Sequence, residues 1–73
     1  MSKYNGWSNY ETWRINLEFG LCDGDYQDFN AEALEEHVTD YIYEYSSGLA
    51  QDYAMVFVAE VDWEEIEENI KEN

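Results

Sequence analysis

Punctuation is the strongest constraint on this chain: it has no proline and only four glycines, at positions 6, 20, 24 and 48. Both residues are poor in helix interiors, and glycine commonly marks a helix end. The stretches between the glycines are therefore free to run as unbroken helix. In 31–45 the apolar residues Ala31, Leu34, Val38, Tyr41, Ile42 and Tyr45 follow the period of one helical face. Asn30 is a natural N-cap for that helix, and Ser46-Ser47-Gly48 ends it.

The other elements follow by the same reasoning. Ser8-Asn-Tyr-Glu11 matches a capping box, in which hydroxyl and carboxylate satisfy each other's backbone N–H groups. A helix is expected over 9–21, with Tyr10, Trp13, Leu17 and Leu21 as its apolar face and Ile15 and Phe19 broadening it. Gly20 and the Cys-Asp-Gly-Asp run stop it, and 22–29 read as a loop. Residues 49–61 have strong β propensity, so a buried strand is one reading. No other segment looks extended enough to pair with it. Leu49, Tyr53, Val56, Phe57 and Val61 also fit a helix buried on most sides, and helix is the favoured assignment. Asp62-Trp-Glu-Glu65 is a second capping-box arrangement, opening a helix over 63–71 with Trp63, Ile66 and Ile70 as its stripe. The expectation is an all-α bundle of about four short helices around an aromatic core, one domain spanning 1–73.

A chain of 73 residues has room for one thin core, since folding at this size buries only about 60% of the surface. Cys22 is the only cysteine and cannot form an internal disulfide. A lone thiol fits a reducing compartment. Aromatic residues make up 18% of the chain, and large rings add area to a small core. High charge can signal disorder, but 45% apolar residues at helical period favour a folded chain. The opening MSKYNGWSNY does not read as a signal peptide, and no stretch is apolar enough for a membrane span. A cytoplasmic location is expected.

The net charge is −15, and it is unevenly placed. Lys3 and Arg14 balance Glu11 and Glu18 in residues 1–22, whereas every other acid lies in 23–73 with Lys71 as the only cation there. Such a field repels nucleic acid and anionic membrane and attracts basic proteins. Glu32, Glu36, Asp40 and Glu44 recur every four residues opposite the apolar stripe, and Glu60, Glu64, Glu68 and Glu72 repeat the spacing. Glu60 precedes the cap and is expected to sit off the second row. Like charges at this spacing cost about 0.2–0.5 kcal/mol per pair. Opposite charges would have been mildly favourable, and within 23–73 Glu67–Lys71 is the one place that uses them. Four residues of helix rise about 6 Å, close to the spacing of successive phosphates along a nucleic-acid strand. The rows are thus candidate partner-binding residues, able to present a phosphate-like pattern to Lys and Arg of a nucleic-acid-binding protein. An acidic surface that binds a basic partner without such mimicry, or one kept only for solubility, is the alternative. Tyr43 lies off the apolar stripe near Asp40 and Glu44, and Tyr4, Trp7 and Tyr26 lie outside clear helices. Tyr26 and Tyr43 are candidate aromatic anchors, through which a homodimer or a purely structural module would also form.

Other chemistry fits poorly. Asp23, Asp25 and Asp28 surround Gly24, but an EF-hand loop counted from Asp23 has Asp28 where glycine belongs and Leu34 where glutamate belongs. His37 is the sole histidine and a poor zinc ligand alone. Cys22 has no basic neighbour to favour its thiolate. Glycine-rich phosphate loops and nucleophile elbows are missing, so no enzyme, catalytic residue, metal or cofactor is expected.

The block Tyr4-Asn-Gly-Trp-Ser-Asn-Tyr-Glu-Thr-Trp13 resembles the opening "YNGxxNYETW" of a family of small proteins carried by bacteriophages and mobile elements. Ser47-Gly-Leu49 and Glu60-Val-Asp-Trp-Glu-Glu-Ile66 are similar to that family's second, "EVNWxEI"-like block. The resemblance implies a helical fold, helix over 49–61, and a bacterial cytoplasmic setting. It carries over no catalytic residue. It also implies that Trp7, Tyr10, Trp13 and Trp63 are structural, while the acids after residue 22 exceed the family pattern. In a phage setting, an acidic decoy would be aimed at host defence nucleases, such as CRISPR complexes or restriction enzymes, or at transcription and replication proteins.

Overall fold

The computed structural model describes residues 6–72 and contains α1 (Tyr10–Phe19), α2 (Ala31–Tyr45), α3 (Gly48–Val58) and α4 (Trp63–Glu72). Lys3 and Tyr4 lie outside the described residues. The all-α expectation holds, and 49–61 begins as helix rather than strand. The principal packing pairs are α2 on α4, α2 on α3, α1 on α3 and α1 on α4. Round the bundle the order is therefore α1, α4, α2, α3, which sets α3 across from α4.

α2 and α4 bury the stripes that their periodicity marks: Leu34, Val38 and Ile42 on one, Trp63, Ile66 and Ile70 on the other. Asn30 caps α2 as expected, its Oδ1 accepting from Ala33 N at 2.8 Å. α1 differs. Its buried residues are Thr12 and Ile15, with Phe19 half-buried, while Leu17 is 58% exposed and Tyr10 38%. The helix has turned its other three-and-four face inward.

The reason lies at its N-terminus. Asn9, not Ser8, is the cap, and its Oδ1 accepts from Thr12 N at 2.9 Å and from Thr12 Oγ1 at 2.6 Å. The fully buried Thr12 Oγ1 in turn accepts from Asp62 N at 2.8 Å. Asn9 Nδ2 donates to the Glu60 carbonyl at 2.7 Å, and Ser8 N to Glu65 Oε1 at 3.0 Å. Neither capping box closes on itself. Asp62 caps Glu65 N at 3.1 Å, but the Glu65 carboxylate is spent on Ser8 rather than returned to Asp62 N. These bonds clasp the start of α1 to the turn between α3 and α4.

The core is less aromatic than expected. Its fully buried side chains are Leu21, Leu34, Val38, Ile66, Ile70 and Thr12, and Trp63 is the one buried aromatic residue among those described. Trp7, Phe19, Tyr26, Phe29 and Phe57 pack around this aliphatic centre, half-buried. Leu21 enters the core because α1 ends at Gly20, whose left-handed backbone (φ 60°, ψ 40°) lets Leu21 N bond back to the Asn16 carbonyl at 3.3 Å. α3 departs furthest from expectation: Leu49, Tyr53 and Val56 are 69%, 69% and 68% exposed, and Val58 is its one buried residue.

Candidate partner-binding surface

On α2 the buried stripe fixes the opposite face. With 3.6 residues per turn, Glu32, Glu36, Asp40 and Glu44 advance by about 6 Å and turn by roughly 40° at each step. All four are exposed. Tyr43 lies on the same outer face, 56% exposed, so the structure places this candidate anchor among the acids. Glu64, Glu68 and Glu72 are likewise exposed on α4, and Glu60 sits in the turn before it, off the helix as expected. Among the described residues none of these eight carboxylates makes a hydrogen bond or ion pair.

Other acids are used internally. Glu67 Oε1 accepts from Ala31 N at 2.9 Å, satisfying a backbone donor at the start of α2, where the helix dipole also favours a negative charge. Asp62 and Glu65 serve the clasp described above. Arg14 Nε meets Glu18 Oε2 at 2.7 Å, the one ion pair among the described residues. Hydrogen bonds from Arg14 to Glu18 and then to the Tyr10 hydroxyl hold the guanidinium's pKa above its ordinary value. Lys71 does not pair with Glu67; its Nζ lies 3.4 Å from the Gln27 carbonyl.

The tertiary structure adds a juxtaposition that spacing does not show. Glu32 and Glu35 of α2, Glu60 and Asp62 of the turn, and Glu64 of α4 line one shallow cleft of about 590 Å³ with Ser8 and Asn9 at its edge. The two rows meet there at their N-terminal ends. Glu35 and Asp62 belong to neither row, and only the packing of α2 against α4 reveals them.

Tyr26 is held rather than displayed. It is half-buried, stacks edge-on to Phe29 at 5.0 Å, and its hydroxyl lies 3.1 Å from His37 Nε2. His37 thus sits among rings, with Phe19 edge-on at 6.4 Å. Cys22 is half-buried, and burial, helped by the charge of Asp23, pushes its thiol pKa up. Asp23, Asp25 and Asp28 are exposed, and among the described residues no group of three His, Cys, Asp or Glu is placed to hold a metal ion. No helix among the described residues is long and apolar enough to cross a membrane.

Fold and surface together define a small all-α domain whose two amphipathic helices present ordered, unpaired carboxylates. Comparison with known proteins finds no matching family model, curated protein or solved structure.

Proposed function

We propose that this chain is a phage-type inhibitor that occupies the basic, nucleic-acid-binding surface of a host protein, its acidic rows standing in for phosphates. One observation carries the reading: all eight row acids stay unused inside the described structure, whereas the acids that do cap, clasp or pair, Glu18, Asp62, Glu65 and Glu67, all lie off the rows. Like charges four residues apart tax a helix, and a role on the surface explains why α2 keeps them. A rigid helix also presents its charges without an ordering cost at binding. The resemblance of the N-terminal block to phage and mobile-element proteins makes a bacterial defence complex, of the CRISPR or restriction kind, the natural target. The chain then acts without catalysis, metal or cofactor, in the host cytoplasm.

The test is capture from bacterial lysate with the wild-type chain and with Glu36, Asp40 and Glu44 together replaced by Lys, followed by displacement with duplex DNA or with RNA. The reading expects a nucleic-acid-binding protein retained only by wild type, released by nucleic acid and by salt. A partner that nucleic acid never displaces would end the mimicry reading.

A further inference from the structure

The exposed face of α3 is apolar where an outward helix face is normally polar. Leu49, Tyr53 and Val56 stand at i, i+4 and i+7 on one ridge, each about two-thirds exposed, and Asp52 is the only charge on the helix. A helix that is apolar on its inward and outward faces alike is ordinarily covered on both. Beside the ridge runs an open groove of about 580 Å³ between α1, α2 and α3, walled by Tyr10, Tyr41, Tyr45 and Phe57 and rimmed by the Arg14–Glu18 ion pair. Tyr41 and Tyr45 pack together at 4.6 Å, yet remain 52% and 68% exposed.

We propose that a second copy of this chain covers this face, the α3 ridge of each copy seated in the groove of the other about a two-fold axis. Charge selects that occupant. A basic partner finds its complement on the outer faces of α2 and α4, whereas α3 offers it a single carboxylate. For two chains of net charge −15, this is the approach with least repulsion, because α3 lies across the bundle from α4 and the α2 row faces away from the core. The one charge beside the ridge is an anion, Asp52, and the one cation rimming the groove is Arg14, held there by Glu18 at 2.7 Å, so an isologous pairing brings Asp52 to the guanidinium of that ion pair twice. The dimer leaves both copies' carboxylate rows outward. Self-association is independent of the proposed function and is opposed, not driven, by the acids.

That opposition gives a test by sedimentation velocity from about 1 µM to roughly 200 µM, at about 50 mM and about 500 mM NaCl. The mass should rise from 8.7 kDa toward twice that value with concentration. Association should tighten with salt, the reverse of the response expected where acidic rows hold a basic partner, so either idea can fail alone. Val56→Glu and Leu49→Glu, both at exposed positions, should keep the helical circular dichroism and weaken dimerisation by at least about tenfold. Arg14→Glu, which leaves Asp52 facing a second carboxylate beside Glu18, should weaken it, and Asp52→Arg added to Arg14→Glu should restore it. A mass of 8.7 kDa at every concentration and both salts overturns the proposal, as does a dimer indifferent to both glutamate substitutions.

Discussion

Replacing Thr12 by valine isolates the clasp between α1 and the turn before α4. Valine has nearly the shape of threonine, so the fully buried site stays filled and only hydrogen bonds are removed. The Thr12 hydroxyl donates to Asn9 Oδ1 at 2.6 Å and accepts from Asp62 N at 2.8 Å. Losing the first costs about 1 kcal/mol, and leaving the Asp62 N–H without its acceptor costs about 1–3 kcal/mol more if water does not reach it fully. The sum, about 2–4 kcal/mol, is a large share of the roughly 4–11 kcal/mol available to a chain this short. At about 4–8 °C per kcal/mol, Tm should fall by about 8–32 °C. Thr12→Ser is the control: it keeps the hydroxyl and gives up a methyl group worth about 0.8 kcal/mol. Thermal melts followed by circular dichroism compare the two. If valine lowers Tm no further than serine does, the hydroxyl is not what fastens these helices.

Three further outcomes are expected. Glu36→Lys with Glu44→Lys turns three repulsive steps on α2 into attractive ones, so the double variant should be about 1–3 kcal/mol more stable while losing its partner in the capture assay; unchanged or lower stability in urea titration would show that the row costs the helix nothing. Gly20→Ala forces a side chain into a left-handed backbone at φ 60°, at a cost of about 1–2 kcal/mol. The added Cβ would lie 2.7 Å from Asp23 Oδ2, a mobile carboxylate tip, so adding Asp23→Ala should recover little; full recovery would make the cost steric rather than conformational. Cys22, its pKa raised chiefly by burial, favours the neutral thiol when folded. Its contribution to stability is therefore present below the unfolded thiol's pKa and is lost as pH rises through the folded value. Alkylation of the folded chain should need a higher pH than alkylation in urea, and coincident rate profiles would contradict this.

Much of this molecule was readable from residue order, and the boundary has physical causes. α2 and α4 each carry one apolar stripe against a strongly charged remainder, so Leu34, Val38 and Ile42, or Trp63, Ile66 and Ile70, have only one way to be inside. Fixing that stripe also fixes the opposite face, which is why the exposure of Glu32 through Glu44 followed from spacing alone. α1 offers two stripes of equal period, Tyr10, Trp13 and Leu17 or Thr12, Ile15 and Phe19. The more apolar set was the wrong choice, because burial of Thr12 is compensated by Asp62 N, fifty residues away in sequence. No local rule contains that bond. α3 is apolar nearly all round, so its pattern cannot say which face turns inward, and Leu49, Tyr53 and Val56 were left outside. Sequence by itself determined the helices, their ends to within two residues except at α3, which stops at Val58 rather than 61, and the carboxylate rows, all set by contacts within a few residues. Tertiary structure alone decided which face of α1 and α3 is buried, that the rows meet in one acidic cleft, and that an apolar ridge stands apart from them, since each depends on helices distant in sequence competing for the same small core.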